Sequence, residues 1–443
     1  MITLDGYLRV SGDDPDFNPE PDWLDRYYRV HGRDGAKLRV WSWDEEEDQL
    51  LLPWSAMTDL PESARVVDRR TFGRVAVQNY VSKLVPRPGQ ADVIEAALSM
   101  LKSKGSGLIV APCGSGKTVI GSEVALRAGY STCILVHKDF LAQQWEEAFR
   151  MLLPGVIIGR LKRDQCDTGI THQVVLASTQ SVTNHRREYS PEFYSSFGLV
   201  IADEIHRYGA EIWQQAITKF SARLRLGLTA TAYRSDGMWQ VITDHFGSSV
   251  VELHGQTLIP IIYPVRTTAR SHLNLGTQPW LTKTMRRAKL VTELCDNESR
   301  NEVVVRNLKK AYDAKRRVLV ISERRKQLSW IADRLLYYGI SDVGSYVGGM
   351  KQSVLDESAT KQIILTTYQM AKEGLDIPDL DVLIMASPQA HIQQTVGRIL
   401  RIREGKRTPV VVDFIDSEVP ELGGLWFSRR KEYEALGYEI QGR

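Results

Sequence analysis

The pattern of apolar and polar positions changes near residue 86. From there onward, short apolar runs alternate with amphipathic segments of helical length, and the runs are "GLIVAP", "TCILVH", "QVVLAST", "GLVIADE" and "LRLGLTA". Runs that are apolar at every position are typical of strands buried on both faces of a parallel sheet. The alternation therefore predicts βαβ units in a doubly wound α/β domain.

An irregular connector that contains Pro and Gly, "YPVRTTARSHLNLGTQPW", interrupts the alternation, which then starts again. The second series of apolar runs is "RRVLVISE", "GSYVGG", "KQIILTT", "DVLIMAS" and "TPVVVDF". We therefore predict two consecutive α/β domains of similar size, over residues 86–262 and 263–443.

Residues 1–85 show no helical periodicity of any length. Short β-like runs such as "YLRV", "KLRVWSW", "QLLLPW" and "RVAV" are separated by Gly, Pro and Asp clusters, which predicts a small β-rich domain. Four tryptophans are concentrated there: Trp23, Trp41, Trp43 and Trp54. They form either the core of this domain or a stacking surface for DNA, and the sequence leaves both interpretations open.

Length and charge narrow the class of protein. A chain of 443 residues is too long for one core. The net charge is +3, but the first 60 residues are acidic, so the remainder is clearly basic. A basic remainder can bind a polyanion such as nucleic acid, and it is equally compatible with a solvated mixed surface.

No apolar run approaches the roughly 20 residues that span a bilayer, and the first residues lack a signal-peptide layout. The scattered cysteines argue for a reducing cytoplasm, and against a disulfide framework or a zinc site: Cys113, Cys133, Cys166 and Cys295.

The stretch "APCGSGKT", residues 111–118, lies between a predicted strand and a predicted helix, as a phosphate-binding loop requires. Its glycines let backbone N–H groups face a phosphate. The predicted phosphate-binding residues of this loop are Pro112, Cys113, Gly114, Ser115 and Gly116. Lys117 is placed to reach the β- and γ-phosphates, and the Thr118 hydroxyl is placed to hold Mg²⁺. The strict pattern begins with Gly, where this chain has Ala111.

The stretch "LVIADEIHRYG" begins at Leu199 and places two carboxylates at the end of a fully apolar strand. The Mg²⁺ of a nucleotide supplies the positive charge that lets two carboxylates coexist there. Asp203 is placed to hold this cation, through water, and Glu204 to polarise the attacking water.

These motifs, in their order, resemble those of superfamily 2 helicases over residues 85–443. "DEIH" resembles motif II, "RPGQ" the adenine-reading motif, "LVHKDFLAQQW" motif Ia, "LASTQSV" a later strand-contacting motif and "GLTATAYRSDG" motif III. "VLVISERRKQLSWIADRL" resembles motif IV, "LTTYQMAKEGLDIP" motif V and "QQTVGRILR" motif VI. Ala232 replaces the Pro that is usual in motif III. The resemblance implies two tandem RecA-like parallel-sheet domains with ATP and Mg²⁺ between them.

The resemblance also implies site residues. Arg87 and Gln90 would bind the adenine, and Gly374 and Asp376 of motif V would contact the nucleotide. Arg398 and Arg401 would act as arginine fingers, and Gln394 would position water and contact His206. For coupling between the domains the residues are His206, Thr229 and Thr231. For contacts with the nucleic-acid backbone they are Lys138, Thr179, Gln180, Arg324 and Thr367, although Arg324 belongs to a run that also suits a solvated surface.

Within superfamily 2, "DEIH", "EGLDIP" and the C-terminal "FSRRKEYEALGYEI" look closest to the group that contains the xeroderma pigmentosum group B helicase, RadD-type bacterial proteins and phage UvsW-type helicases. This resemblance implies an ATP-driven double-stranded-DNA motor that remodels forked or branched DNA in replication, recombination or repair. We expect a cytoplasmic monomer that acts on DNA, with recombination or replication proteins as further partners and no membrane. The alternatives are an RNA helicase, the motor subunit of a restriction system, and an ATP-gated nucleic-acid clamp.

Overall fold

The computed structural model divides the chain into two compact units, residues 1–255 and 256–443. It describes the whole chain apart from residues 16, 18, 33, 34, 36, 113, 164, 170, 185–188, 206–209, 231–236, 254–257, 274–281, 374–376, 378, 390–395, 397, 398, 400–405 and 443.

The chain begins with a small, mostly antiparallel sheet, as the N-terminal pattern predicts. Its strands, in the spatial order β5-β6-β2-β1-β7, are β1 (Ile2–Leu4), β2 (Leu8–Ser11), β5 (Ser42–Asp44), β6 (Gln49–Leu52) and β7 (Val66–Asp68). A separate hairpin is formed by β3 (Arg29–His31) and β4 (Lys37–Arg39). Although this region shows no helical periodicity, α1 (Pro21–Tyr27) and a 3₁₀ helix (Trp54–Asp59) interrupt the strands. "RVAV" forms only an isolated bridge between Val75 and Tyr130.

An eight-stranded sheet follows in the same unit and contains all five apolar runs of the first series. Its strands, in the order β11-β10-β12-β9-β13-β14-β8-β15, are β8 (Ser106–Val110), β9 (Thr132–Val136), β10 (Ile158–Lys162), β11 (Gln165–Asp167), β12 (Val174–Ser178), β13 (Leu199–Ala202), β14 (Leu224–Thr229) and β15 (Val250–Glu252). All pairs are parallel except β10 with β11. The helices of this unit are α2 (Gln90–Lys104), α3 (Lys117–Ala128), α4 (Asp139–Leu152), α5 (Thr179–Val182), α6 (Pro191–Ser195), α7 (Ala210–Ile217) and α8 (Trp239–Phe246). This is the predicted RecA-like domain.

The N-terminal sheet packs directly against the first RecA-like domain. Arg225 on β14 is fully buried, and its Nη2 donates to the carbonyls of Gly6 at 2.8 Å and Phe220 at 3.1 Å. Its guanidinium lies 3.5 Å from the centre of the Trp54 ring, and that of Arg70 lies at 4.8 Å. Trp54 is therefore a core residue at this junction. Trp23 and Trp41 pack at the edge of the same core, whereas Trp43 is 42% exposed.

We predict that Trp54→Ala destabilises the first unit by about 3–5 kcal/mol, because it leaves a large cavity and uncovers the guanidinium of Arg225. Trp43→Ala is the matched control and should change stability by no more than about 0.5 kcal/mol, since Trp43 lies at the surface. Urea unfolding of the full chain, followed by circular dichroism, measures both. Equal losses in the two variants would contradict the burial of Trp54 at this junction.

The second unit is built on a seven-stranded parallel sheet, which confirms the second RecA-like domain. Its strands, in the order β18-β19-β17-β20-β21-β16-β22, are β16 (Ile261–Arg266), β17 (Val318–Ser322), β18 (Val343–Tyr346), β19 (Ile363–Thr367), β20 (Val382–Met385), β21 (Val410–Ile415) and β22 (Glu439–Ile440). Its helices are α9 (Lys283–Asp296), α10 (Glu298–Asp313), α11 (Arg325–Tyr337), α12 (Gln352–Thr360), α13 (Tyr368–Glu373) and α14 (Pro420–Ala435). Among the described residues of the whole chain, no helix is long and apolar enough to cross a membrane.

The first residues of the predicted irregular connector are a strand. Tyr263 to Arg266 belong to β16 and pair in parallel with β21. The prediction was wrong here because Pro264 argues against a strand. Pro264 is tolerated because β22 pairs only with Ile261 and Ile262, so that beyond these residues β16 has no described neighbour on that side.

Candidate active site

The phosphate-binding loop leaves the carboxyl end of β8 and enters α3, as the sequence predicts. Gly114 and Gly116 have φ angles of 80° and 87°, which residues with a Cβ rarely adopt. Helix α3 begins at Lys117, so its unpaired N–H groups open into this loop. The backbone is therefore shaped to receive an anion at the start of a helix.

Lys117 is a buried cation, 8% exposed, at the start of α3. Its Nζ donates to the carbonyl of Ala111 at 3.0 Å and to that of Pro112 at 3.4 Å, and it lies 3.8 Å from Oε1 of Glu204. The loop thus holds the ammonium group by its own carbonyls, where phosphate oxygens could replace them.

Gln90 and Arg87 contact the phosphate-binding loop from outside it. Nε2 of Gln90 donates to the carbonyl of Ser115 at 2.7 Å, and its Oε1 accepts from the backbone N–H of Arg87 at 2.9 Å. Nη1 of Arg87 donates to the carbonyl of Gly114 at 3.4 Å. A Cβ on Gly116 would lie 2.6 Å from Nε2 of Gln90, so the glycine is needed for this approach. These two side chains support the loop, and their contact with adenine stays a prediction.

The two carboxylates follow β13 on a backbone that is held on both sides. The N–H of Asp203 donates to the carbonyl of Leu135 on β9 at 3.0 Å, and that of Ile205 donates to Leu228 on β14 at 3.1 Å. Between these two bonds, Glu204 has a φ of 52°, in the left-handed region that residues other than glycine seldom occupy. Such backbone costs about 1–3 kcal/mol and occurs preferentially at functional sites. Glu204 is therefore held in place by the sheet.

β14 joins this corner to the phosphate-binding loop. The carbonyl of its last residue, Thr229, accepts from the N–H of Ala111 at 2.9 Å, one residue after Leu228 accepts from Ile205. Thr229 is fully buried between the two motifs. Its predicted coupling role remains untested.

Trp145 is a site residue that sequence reasoning missed. Its indole N–H donates to Oδ2 of Asp203 at 2.9 Å, and the ring is fully buried. A Cβ on Gly121 of α3 would meet this ring at 2.5 Å, so Trp145 packs tightly on the helix of the phosphate-binding loop. The available signal was its place in the motif Ia stretch "LVHKDFLAQQW", in the middle of the apolar face of α4.

Asp203 is a buried carboxyl group whose pKa is raised by its surroundings. Burial, and then the neighbouring Glu204 carboxylate, raise the pKa of Asp203 above the usual carboxyl range, although the hydrogen bond from Trp145 opposes this. A divalent cation would relieve this cost by favouring the charged form. Within the described part of the chain no three His, Cys, Asp or Glu residues are grouped for a metal. Asp203 and Thr118 stay the predicted ligands of Mg²⁺ that arrives with phosphates and keeps water ligands.

We predict that Lys117→Ala weakens ATP binding by roughly 2–5 kcal/mol, the cost of removing one partner of a buried charge pair. Without the ammonium group, the carbonyl oxygens of Ala111 and Pro112 would face the phosphates and repel them. Equilibrium titration with a fluorescent ATP analogue measures this loss, and an unchanged urea midpoint shows that the fold is intact. Wild-type affinity in a folded variant would remove Lys117 from the nucleotide site.

The predicted strand contacts of the first unit lie at the same edge of its sheet. Lys138 is exposed after β9 and precedes α4, and Gln180 is exposed after β12. Thr179 is different, since it is fully buried and its hydroxyl donates to the carbonyl of Val136 at 3.1 Å. The prediction of a Thr179 side-chain contact with nucleic acid does not fit this burial.

Lys138 and Gln180 line a cavity of about 470 Å³ beside the β10–β11 hairpin. Other basic side chains that line it are Arg160, Lys162 and Arg163. Asp139 and Glu146 offset part of this charge, because Arg160 pairs with Glu146 at 2.5 Å and Lys162 pairs with Asp139 at 2.9 Å. The cavity is thus a basic recess with internal ion pairs.

The two predicted strand contacts of the second unit differ in their surroundings. Arg324 is tied to α9, since its guanidinium donates to the Thr292 hydroxyl at 3.0 Å and to the Ala288 carbonyl at 3.1 Å. The Arg324 side chain is still 31% exposed, and its contact with a nucleic-acid strand stays a prediction. Thr367 is half-buried at the end of β19.

Several predicted site residues lie outside the described part of the chain: Cys113, His206, Thr231, Gly374, Asp376, Gln394, Arg398 and Arg401. Two neighbours of the motif VI arginines are described, and both are apolar. Val396 and Ile399 are fully buried in the core of the second unit.

Comparison with known proteins agrees with this geometry. Residues 83–234 match the family model of the type III restriction enzyme res subunit, and residues 299–403 match that of the helicase conserved C-terminal domain. The chain is 30% identical over 381 residues to "Putative ATP-dependent RNA helicase L396" of Acanthamoeba polyphaga mimivirus, which covers 85% of this chain and 72% of that protein.

Two solved structures share the fold. One is "a putative HsdR subunit of a type I restriction enzyme" from Vibrio vulnificus YJ016, with a TM-score of 0.58, 19% identity and coverage of 82% of this chain and 70% of that one. The other is S. cerevisiae Dbp5 bound to RNA and ADP BeF3, with a TM-score of 0.54, 15% identity and coverage of 80% and 94%. From the family models, the viral relative and the ordered motifs, we conclude that this chain belongs to the superfamily 2 helicases.

Proposed function

We propose that this helicase is an ATP-driven motor on double-stranded DNA that remodels forked or branched structures. The observation that supports it most is the corner formed by Lys117, Asp203 and Glu204. One buried cation, one buried carboxylate and one carboxylate on a fixed left-handed backbone make a site for phosphoryl transfer to water.

In this proposal the chain's own groups divide the work. Lys117 binds the phosphates, and Asp203 with Thr118 would hold the cation. Bound Mg²⁺ would neutralise the charge on the phosphate oxygens. Glu204, 3.8 Å from Nζ of Lys117, accepts the proton of the attacking water. The motif VI arginines stabilise the charge that develops on the γ-phosphate.

Binding of a nucleic-acid backbone is proposed at the basic recess of the first unit. In parallel sheets, ligands bind beyond the carboxyl ends of the strands, and Lys138 and Gln180 follow two strands at the same edge as the phosphate-binding loop. Movement of this edge during the ATP cycle would move the bound strand.

We predict that Lys138→Ala weakens DNA binding and lowers the slope of log affinity against log salt by about 0.9, as for the loss of one phosphate contact. Lys102→Ala on α2 is the matched control, because it is also an exposed lysine of the first unit and lies away from this recess. Fluorescence anisotropy with a labelled duplex at several salt concentrations measures the slope. An equal change in the two variants would exclude a specific contact by Lys138.

The choice of DNA rests on the likeness of "DEIH", "EGLDIP" and the C-terminal "FSRRKEYEALGYEI" to the xeroderma pigmentosum group B, RadD and UvsW-type group. An RNA helicase is the second candidate, favoured by the name of the mimivirus relative. ATPase rates with equal nucleotide concentrations of four-way junction, fork, linear duplex, single-stranded DNA and duplex RNA separate the two. We expect the strongest stimulation by junction and fork DNA, and a maximum with RNA would assign the second candidate.

A motor must also be separated from an ATP-gated clamp. Displacement of streptavidin from a biotin at the end of a duplex requires directed movement, and we expect it with ATP but not with a non-hydrolysable analogue. DNA-stimulated ATPase without displacement would indicate a clamp.

A further inference from the structure

The segment Ala386–Gln389 follows β20 and ends three residues before the motif VI stretch, residues 393–401. Side chains from α9, α10, α11, α13 and α14 bind this short segment, together with backbone groups of Ile321 and Glu323. Its first two residues are fully buried. Such a concentration of hydrogen bonds on an irregular segment fixes its backbone.

At its start, the segment is held by a buried ion pair. Arg300 on α10 donates from Nη1 to the carbonyl of Ala386 at 2.6 Å, while its Nε and Nη2 donate to Asp416 at 2.7 and 3.0 Å. Gln327 donates to the same carbonyl at 3.2 Å.

In the middle, the segment is bound to motifs IV and V. The hydroxyl of Tyr368, at the start of α13, donates to the carbonyl of Ser387 at 2.7 Å. The hydroxyl of Ser387 accepts from the backbone N–H of Glu323, in the motif IV stretch, at 2.9 Å.

At its end, the segment is held by the C-terminal helix α14. Arg429 donates from Nη1 to the carbonyl of Gln389 at 2.8 Å, and its Nε and Nη2 each donate to Asp413 on β21 at 2.8 Å. Arg429 is 1% exposed. Gln389 is the last described residue before residues 390–395, and motif VI begins at residue 393.

We propose that Tyr368 and Arg429 are positioning residues for ATP hydrolysis, which act by fixing the Ala386–Gln389 segment and thereby the place where motif VI begins. The proposal rests on the proposed role of the motif VI arginines. It gives the C-terminal helix α14 a part in catalysis, since a displacement of about 1 Å at reacting groups can lower a rate 100-fold.

Tyr433 provides a matched control for Tyr368. Its hydroxyl is also buried, and it donates to Oδ2 of Asp413 at 3.0 Å without contacting the Ala386–Gln389 segment. Tyr368→Phe and Tyr433→Phe therefore each remove one buried hydroxyl from the same part of the second unit. Only Tyr368→Phe removes a hydrogen bond to the segment itself, since Tyr433 binds Asp413, which Arg429 binds through two further hydrogen bonds.

The test compares kcat and KM for ATP at saturating duplex DNA in the two variants, with the urea midpoint of each. For Tyr368→Phe we expect kcat to fall about tenfold and KM to stay within about twofold, because positioning acts in the transition state. Tyr433→Phe should keep the wild-type kcat at a similar loss of stability. Equal values of kcat in the two variants would overturn the proposal.

A double variant tests whether the effect passes through motif VI. In the Arg401→Ala background, Tyr368→Phe should cause no further loss of kcat, since coupled residues are not additive. Additive losses would overturn the positioning role. Full activity of Arg401→Ala by itself would instead contradict the proposed function of motif VI, and the comparison of Tyr368 with Tyr433 would still decide whether the segment matters.

Discussion

Glu204→Gln is expected to bind ATP with wild-type affinity and to hydrolyse it about 10²–10⁴-fold more slowly, the usual contribution of a general base. Glutamine has the same shape and suits the same backbone, but it cannot accept the proton of water. Lys117 and Asp203 remain to hold the phosphates and the cation. The substitution also removes the like charge that helps to raise the pKa of Asp203, so cation binding should not weaken. Equilibrium nucleotide binding and steady-state ATPase rates measure the two effects separately.

Glu147→Gln is the matched control for this prediction, because Glu147 is an exposed glutamate on α4 in the same unit. It should hydrolyse ATP at the wild-type rate. Near-normal turnover by Glu204→Gln would remove Glu204 from the mechanism, and a large loss of ATP affinity would mean that Glu204 serves in binding.

Arg398→Ala and Arg401→Ala are each expected to lower ATP turnover by about 10³-fold or more, the lower end of the effect of an arginine finger. ATP affinity should change much less, because the guanidinium groups act mainly on charge that develops in the transition state. The buried neighbours Val396 and Ile399, three residues apart, anchor this stretch in the core of the second unit. Single-turnover hydrolysis and nucleotide titration of the same preparations measure the rate and the affinity.

Arg430→Ala is the matched control for the arginine variants, since Arg430 lies on the surface of α14 and pairs only with Glu434, at 3.0 Å, among the contacts described for it. Its turnover should equal that of the wild type. A parallel loss of affinity and rate in Arg398→Ala or Arg401→Ala would mean that these side chains hold the ground state or the fold.

The parallel sheets could be predicted because their strands are apolar on both faces. All ten apolar runs that alternate with helical segments contain strands, from β8 to β21. Short strands without such a run were not predictable in this way. β11, Gln165–Asp167, is exposed along its length, and it forms because β10 offers it an edge rather than because of its own hydrophobicity.

The nucleotide motifs could be predicted because their function depends on residue types at fixed spacing along the chain. The contacts that hold them in place could not, because they join distant parts of the sequence. Trp145 reaches Asp203 across 58 residues, and Arg429 reaches Gln389 across 40. The contacts of the Arg324 guanidinium with Thr292 and Ala288 of α9 are a further case.

The packing of the N-terminal region against the first RecA-like domain could not be predicted from the sequence. Its tryptophans suited a stacking surface for DNA as well as a core, whereas its acidic first 60 residues oppose general attraction to phosphates. The structure places Trp54 against Arg225 of the motor sheet, and Gly6 so close to Thr218 that a Cβ would collide with its carbonyl. Deletion of residues 1–80 would therefore expose the motor core. Substitution of the exposed Trp43 is the cleaner way to test a role in DNA recognition.

The central claim is that ATP hydrolysis at Lys117, Asp203 and Glu204 drives remodelling of branched DNA. The most direct measurement follows a synthetic four-way DNA junction, labelled on one strand, during incubation with ATP, and separates junction from products on a native gel. We predict that the wild-type protein converts the junction into two forked duplexes and that Glu204→Gln binds the junction but leaves it intact. An intact junction in the presence of wild-type protein that is hydrolysing ATP would contradict the claim.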